Sequence, residues 1–261
     1  MDGRTEIRAL APQRIIPNIW CNGNAEEVGV GIADVFTRAA IPATTEITAR
    51  YPHEDLPDFQ QPLAGKPLVV SIKVRDYQLD LINAGDEFTP GSAISLMVNF
   101  DPLFFNDDVT ADQEAVERVW SQLMDGGTVR MPLDSYPFSA RYGWVEDRFG
   151  INWQLMLTDP AGEPRLFMIP SLLFSGDVQG KAKEAGEFYR EVFNPSAAGN
   201  VVRYPVQTGP AAAGEVMFSD FNLLNQWFTA MDSGAEGSES FSPGCSFLVQ
   251  SANQAEIDHY W

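Results

Sequence analysis

Residues 16–36 read IPNIWCNGNAEEVGVGIADVF, and residues 169–193 read IPSLLFSGDVQGKAKEAGEFYREVF. Each runs an apolar strand into a glycine, then into an acidic helix ending in Val-Phe. Gly176 to Phe193 is 193 − 176 = 17 positions and Gly23 to Phe36 is 36 − 23 = 13, so the second copy is longer by four. Four residues are about one helical turn, which keeps the apolar face in phase. The chain therefore contains a repeat, and the repeat decides the fold.

The pattern continues on both sides of these markers. ISLMVNF (94–100) answers CSFLVQS (245–251), and TADQEAVERVW (110–120) answers SANQAEIDHYW (251–261) position for position. Thr110 with Gln113, and Ser251 with Gln254, have capping-box spacing. Asn24 with Glu27 marks the start of the first helix, whose apolar stripe is Val28, Ile32, Val35 and Phe36. Gly29 and Gly31 weaken that helix by about 1 kcal/mol each relative to Ala. Runs 43–51, 68–74 and 77–85 read as strands in the first half, and 199–206, 214–222 and 225–234 in the second, from their β-branched and aromatic content. Each half thus begins strand–helix–strand–strand–strand. The first half repeats that order with ISLMVNF, a helix over 110–125, TVRMPLD, ARYGWVE and INWQLML. TDPAGEP (158–164) is the linker, giving expected domains at 12–158 and 165–261.

Composition bounds the partners. The chain has 261 residues, and its 36 acidic against 17 basic side chains give a net charge of −19. Such a chain is repelled by nucleic acid and by anionic membranes. Lysine occurs only at 66, 73, 181 and 183, and no basic run exists. Cys21 and Cys245 sit far apart in apolar runs, which fits a reduced, cytoplasmic setting better than a disulfide framework. The first residues lack the apolar core of a signal peptide, and no apolar stretch approaches the roughly 18 residues of a membrane span.

GNAEEVGVGIADVF, LINAGDEFTPGSAISLMVNF, the helix ending RVWSQLMDGG and above all GWVEDRFGINWQ carry a family resemblance. The chain resembles the PhnB-like, demethylubiquinone methyltransferase-like family of the glyoxalase, bleomycin-resistance and extradiol-dioxygenase (vicinal oxygen chelate) superfamily. The resemblance spans nearly the whole chain as two tandem copies. It implies an α+β fold: tandem glyoxalase-like domains of paired βαβββ modules, with mixed curled sheets forming a cup. Two departures stand out. Gly31-Ile32 replaces the Phe-Tyr pair of the family's first helix, and the second copy stops at Trp261 inside its last helix.

Catalytic members of the superfamily hold a divalent metal between His and Glu on strands of the cup, which implies converging oxygen or imidazole donors. Here His53 falls in a turn and His259 on the last helix. The strands offer Asn18, Asp80, Asn83, Ser95, Asn99 and Gln154, so no metal is expected. A nucleotide loop at EVGVGIAD (27–34) needs a strand before its glycines, but Gly29 and Gly31 lie inside a helix. No methyl-donor loop is legible either, and no cofactor is expected. Cys21 has no base nearby and reads as a buried thiol. Glu26-Glu27 and Asp107-Asp108 read as solvated caps. In 141–157, Asp147 and Gly150 suit a turn. Alternation puts Ile151, Trp153, Leu155 and Leu157 on a helix-packed face and Asn152, Gln154 and Met156 on the concave one. Core packing is the ordinary role for both tryptophans of this stretch.

The expected function is metal-free binding of a flat, neutral or cationic small molecule. The ligand-cup candidates are Trp20, Asn18, Asn83, Asn99, Trp144 and Gln154, with no catalytic residue. A metal-dependent lyase, isomerase or dioxygenase and a non-binding dimerisation scaffold are the alternatives. The half-module at 245–261 cannot close a cup alone. It is expected either to be covered by a second chain in a homodimer or to belong to a longer protein of about 300 residues, the size implied by two full copies.

Overall fold

The computed structural model describes residues 12–105, 108–159, 161, 166–237 and 240–261. Its elements run β1 (Ile15–Asn22), α1 (Ala25–Arg38), β2 (Ala43–Arg50), β3 (Pro67–Val74) and β4 (Tyr77–Ala84). There follow β5 (Ile94–Phe100), α2 (Val109–Leu123), β6 (Thr128–Tyr136), β7 (Ser139–Glu146) and β8 (Asn152–Leu157). The second half holds β9 (Met168–Phe174), α3 (Ala182–Val192), β10 (Ser196–Arg203), β11 (Val216–Leu223) and β12 (Gln226–Asp232). It closes with β13 (Cys245–Val249) and α4 (Gln254–Tyr260). Three complete βαβββ modules and the start of a fourth are therefore present. No helix among the described residues is long and apolar enough to cross a membrane.

The modules join in an order that chain succession does not suggest. One mixed sheet has eight strands, β10-β11-β12-β9-β5-β8-β7-β6; the other has five, β13-β1-β4-β3-β2. In each complete module the first strand runs parallel to the last: β1 with β4, β5 with β8, β9 with β12. Modules then meet through antiparallel first strands, β5 with β9 and β1 with β13. Each sheet thus takes strands from both halves of the sequence. Residues 245–249 are paired within the chain: β13 runs along one edge of β1, 15↔249 through 19↔245. Any βαβββ unit offers a chemically equivalent first-strand edge, so the choice of partner is set by the packing of whole modules.

The helix-facing sides of the two sheets pack together through α1 and α2. Val28, Ile32 and Phe36 of α1 meet Val116, Val119 and Leu123 of α2, with Ile72, Leu79, Leu81, Val98, Trp153 and Leu155 from the strands. Phe36 and Trp153 meet edge-on at 5.6 Å between ring centroids. A second core forms under α3 from Leu172, Phe174, Phe221, Phe228 and Ala230, with Ile15, Phe247 and Val249 joining from the five-stranded sheet. Gln226 ties the sheets: its Oε1 accepts from the amides of Arg14 and Ile15, each at 2.6 Å, and its Nε2 donates to the Ile15 carbonyl at 2.8 Å.

Three helix starts differ from expectation. Asn24 holds the cap position of α1 but makes no side-chain cap bond. Instead Asn83 of β4 accepts from the Ala25 amide at 3.2 Å. Asp108 caps α2 by accepting from Thr110 and Ala111, so Thr110 is already helical; Asp107 lies outside the described residues. Asn253, not Ser251, caps α4. In each case a better-placed amide or carboxylate oxygen takes the orphan N–H groups.

The glycines of α1 are packing devices. A Cβ on Gly29 would lie 2.6 Å from Thr45 Oγ1, and one on Gly31 would lie 2.9 Å from Phe149 Cε2. They let the helix approach β2 and the 147–150 turn, and they form no loop that could cradle a phosphate.

Candidate functional site

The turn in GWVEDRFGINWQ is built around Asp147. Its Oδ1 accepts from the amides of Phe149 (2.8 Å) and Ile151 (3.0 Å), and its Oδ2 accepts the indole N–H of Trp153 at 2.8 Å. Gly150 supplies the positive φ of 81° that closes the turn. Burial pushes the Asp147 carboxyl above its ordinary range, against the hydrogen bonds from Trp153, Ile151 and Phe149. Asp147 and Trp153 are therefore structural, and the turn fixes where β8 begins.

With Trp153 and Leu155 turned toward the helices, Gln154 must face the other way. Register assembles the rest. Ser95 of β5 stands opposite Ser171 of β9, and Thr229 of β12 stands beside Ser171. Gln154 Nε2 donates to Ser95 Oγ at 2.8 Å and to Ser171 Oγ at 3.3 Å. Its Oε1 accepts from Tyr142 at 2.8 Å. Four neighbouring central strands, β8, β5, β9 and β12, each place one neutral polar side chain on the helix-free face. Exposure is 3% for Ser95 and 1% for Gln154, Ser171 and Thr229. The Thr229 hydroxyl is buried and has no hydrogen-bond partner among the described residues. Burial also pushes the Tyr142 phenol upward, so it stays a neutral donor.

The surroundings are aromatic and soft. Registers Met131↔Trp144, Met156↔Tyr142, Met97↔Gln154 and Met231↔Leu173 put four methionines on this face. Trp144 is half-buried, with its indole N–H bonded to Asn152 Oδ1 at 3.0 Å. At the tip of the β6–β7 hairpin, Phe138 stacks on Tyr136 (5.6 Å) and meets Tyr142 edge-on (5.0 Å).

The sequence candidates fall in three places. Gln154, Asn99 and Trp144 lie on the helix-free face of the eight-stranded sheet. Asn99 is fully buried and spends its Nδ2 on the Leu166 carbonyl. Asn18 and Trp20 lie on the five-stranded sheet. Asn18 bonds the Ile16 carbonyl and Trp20 the Gly85 carbonyl, on a different sheet from Trp144. Asn83 faces the helices: beyond receiving Ala25, its Nδ2 donates to the Pro67 carbonyl, so its role is structural. Sequence reasoning put Ser95 among the strand residues but missed Ser171, Thr229 and Tyr142. The signal was available in the repeat, which aligns Ser171 with Asn18.

A divalent metal does not fit this donor set. Three hydroxyls and an amide lack the carboxylate or imidazole ligands such an ion needs. Among the described residues no three His, Cys, Asp or Glu side chains group to hold one. Cys21 is buried, and desolvation lifts its thiol to about 12, which fits an inert core residue.

Comparisons place this architecture. Glyoxalase I from Zea mays matches at TM-score 0.51 and 11% identity, covering 95% of this chain and 78% of that one. Its V278E mutant matches at 0.50 and 10%, covering 99% and 82%. Both similarities concern the fold. The PhnB protein from Bacillus cereus matches at TM-score 0.44 and 25% identity, over 56% of this chain and all of that one. No curated protein matches the chain. The model of the 3-demethylubiquinone-9 3-methyltransferase family matches residues 13–156 and again 167–261. The chain belongs to this family, matched as two tandem copies.

Proposed function

We propose that the chain binds a small organic molecule on the helix-free face of the eight-stranded sheet, recognising it through neutral hydrogen-bonding groups and not through a metal ion. The observation that supports this is the quartet Gln154, Ser95, Ser171 and Thr229, drawn from four adjacent strands and set among aromatic and methionine side chains. Binding sites of this kind are mostly apolar, with a few polar groups that fix orientation. Methionines adapt their shape at low cost, which suits a wall that opens for a ligand. The methyl transfer named in the family's description would need a donor site. Gly29 and Gly31, the pair that resembles one in the sequence, are spent on helix packing.

A thermal-shift screen of neutral aromatic molecules tests the reading. A ligand of the native state raises the melting temperature in a saturable way, by mass action. A panel that leaves the temperature unchanged counts against binding. Elemental analysis tests the metal-dependent alternative. About one equivalent of Zn, Ni, Mn or Fe that survives dialysis would overturn the metal-free reading.

A further inference from the structure

We infer that the cup floor takes a neutral carbonyl oxygen, held by the hydroxyls of Ser95, Ser171 and Thr229; this rests on the binding reading above. Ser95 Oγ and Ser171 Oγ both accept from Gln154 Nε2. A hydroxyl that accepts in this way still carries one hydrogen to donate. Among the described residues neither hydroxyl has an acceptor, and the Thr229 hydroxyl has no partner. Tyr142 fixes the polarity of the row: it donates to Gln154 Oε1, so the amide must present Nε2 to the serines. Three O–H donors from adjacent strands therefore lack acceptors in an interior where exposure is 1–3%. An unmet polar group of this kind carries a desolvation cost that a bound oxygen removes.

The charge of that oxygen follows from the same residues. Gln154, Ser95, Ser171 and Thr229 are all neutral, and the buried carboxyl of Asp220, opposite Thr229 on β11, disfavours an anion beside them. Arg130, on the outer strand β6, is held by Glu146 at 2.5 Å. A carboxylate beside these neutral groups would also meet the repulsion of a chain of net charge −19. An ammonium has no lone pair to offer the donors, which narrows the neutral-or-cationic expectation to the neutral case. The remaining class is a flat ketone, quinone or amide. Its carbonyl would lie on the floor and its ring among Trp144, Met97 and Met156.

Three isosteric probes separate the outcomes in titrations of the full chain: 2-acetylnaphthalene, 2-isopropenylnaphthalene and 2-naphthoate. The ketone is expected to bind about tenfold tighter than the alkene, which differs only by CH₂ in place of O. Its isotope-labelled carbonyl stretch should fall in frequency on binding. Thr229→Val and Ser171→Ala should each weaken the ketone roughly three- to tenfold and leave the alkene unchanged. Thr229→Val removes a group that has no partner, so its melting temperature should hold or rise. Equal affinity for ketone and alkene, or a preference for naphthoate, would overturn the carbonyl assignment while leaving the binding site in place. Failure of all three probes to bind would sink the binding reading and this inference with it.

Discussion

The two sheets grow from the same unit, and a common register makes them comparable position by position. In the eight-stranded sheet, Thr229 pairs with Ser171 and Ser171 with Ser95. In the five-stranded sheet, Asp80 pairs with Asn18 and Asn18 with Ser246. The first row gains a fourth member, Gln154, because β8 lies beside β5. Beside β13 no further strand is present among the described residues. Without that neighbour the second row disperses. Asn18 turns back to the Ile16 carbonyl, Asp80 accepts from Ser71 at 2.6 Å and Gln78 at 3.0 Å, and Ser246 is exposed. The unit alone therefore does not make a site. Two complete modules joined first strand to first strand bury a polar row that the five-stranded sheet leaves dispersed.

The largest expected effect separates the two faces of the eight-stranded sheet. Trp153→Ala empties a fully buried position against Phe36 and strips Asp147 of a donor, and should cost about 3–5 kcal/mol in chemical denaturation. Trp144→Ala, on the helix-free face and half-buried, should cost less than half of that. Equal losses would mean that the helix-free face is also plain core, and the comparison between a packing face and a binding face would fail.

Gln154→Ala against Asp80→Ala compares the two rows directly. The first removes three buried hydrogen bonds and leaves Tyr142 without an acceptor, for about 2–4 kcal/mol. The second leaves Ser71 and Gln78 on a sheet with an open neighbour position, where water replaces the carboxylate, for about 1 kcal/mol. Urea midpoints of both variants at unchanged m-value would decide it. A larger loss at Asp80 would show that the five-stranded row is the better-buried one.

Much of this was legible from local pattern. Alternation in INWQLML placed Trp153 and Leu155 toward the helices and Gln154 away from them. A glutamine in the middle of an apolar strand stands out. Ser171 and Thr229 do not, because a serine or threonine in a strand is ordinary until register sets it beside Ser95. That register depends on β5 meeting β9 across the two halves, a long-range choice no local pattern encodes. The same choice parted Trp20 from Trp144. The caps failed for a nearer reason: Asn83 reaches Ala25 from another strand, and Asp108 and Asn253 outcompete neighbours two residues away.

The smallest expected effect concerns acid, and the two sheets should answer it with opposite signs. The terminal segment is fastened to β1 by Arg14, whose guanidinium donates to the Gln250 carbonyl and meets Glu256 Oε1 at 2.8 Å. The Ala252 amide first, then Arg14 and Tyr260, hold the Glu256 carboxyl down from its ordinary 4.5 to about 2. A depressed carboxyl contributes stability that is present above pH 4.5 and lost as pH falls through about 2. The pair is only partly buried and remains open to solvent, so the contribution is small and salt-sensitive. Asp147 in the eight-stranded half is shifted the other way by burial, so folding there takes up a proton and acid favours it. Hydrogen exchange, normalised to intrinsic rates, should therefore show β13 amides losing protection between pH 4.5 and 2 while β5 and β9 amides keep theirs. In Glu256→Gln the β13 protection should be lower at neutral pH and flat across that window. Parallel loss in both sheets would mean one cooperative unfolding step, and the five-stranded sheet would then have no separate stability to compare.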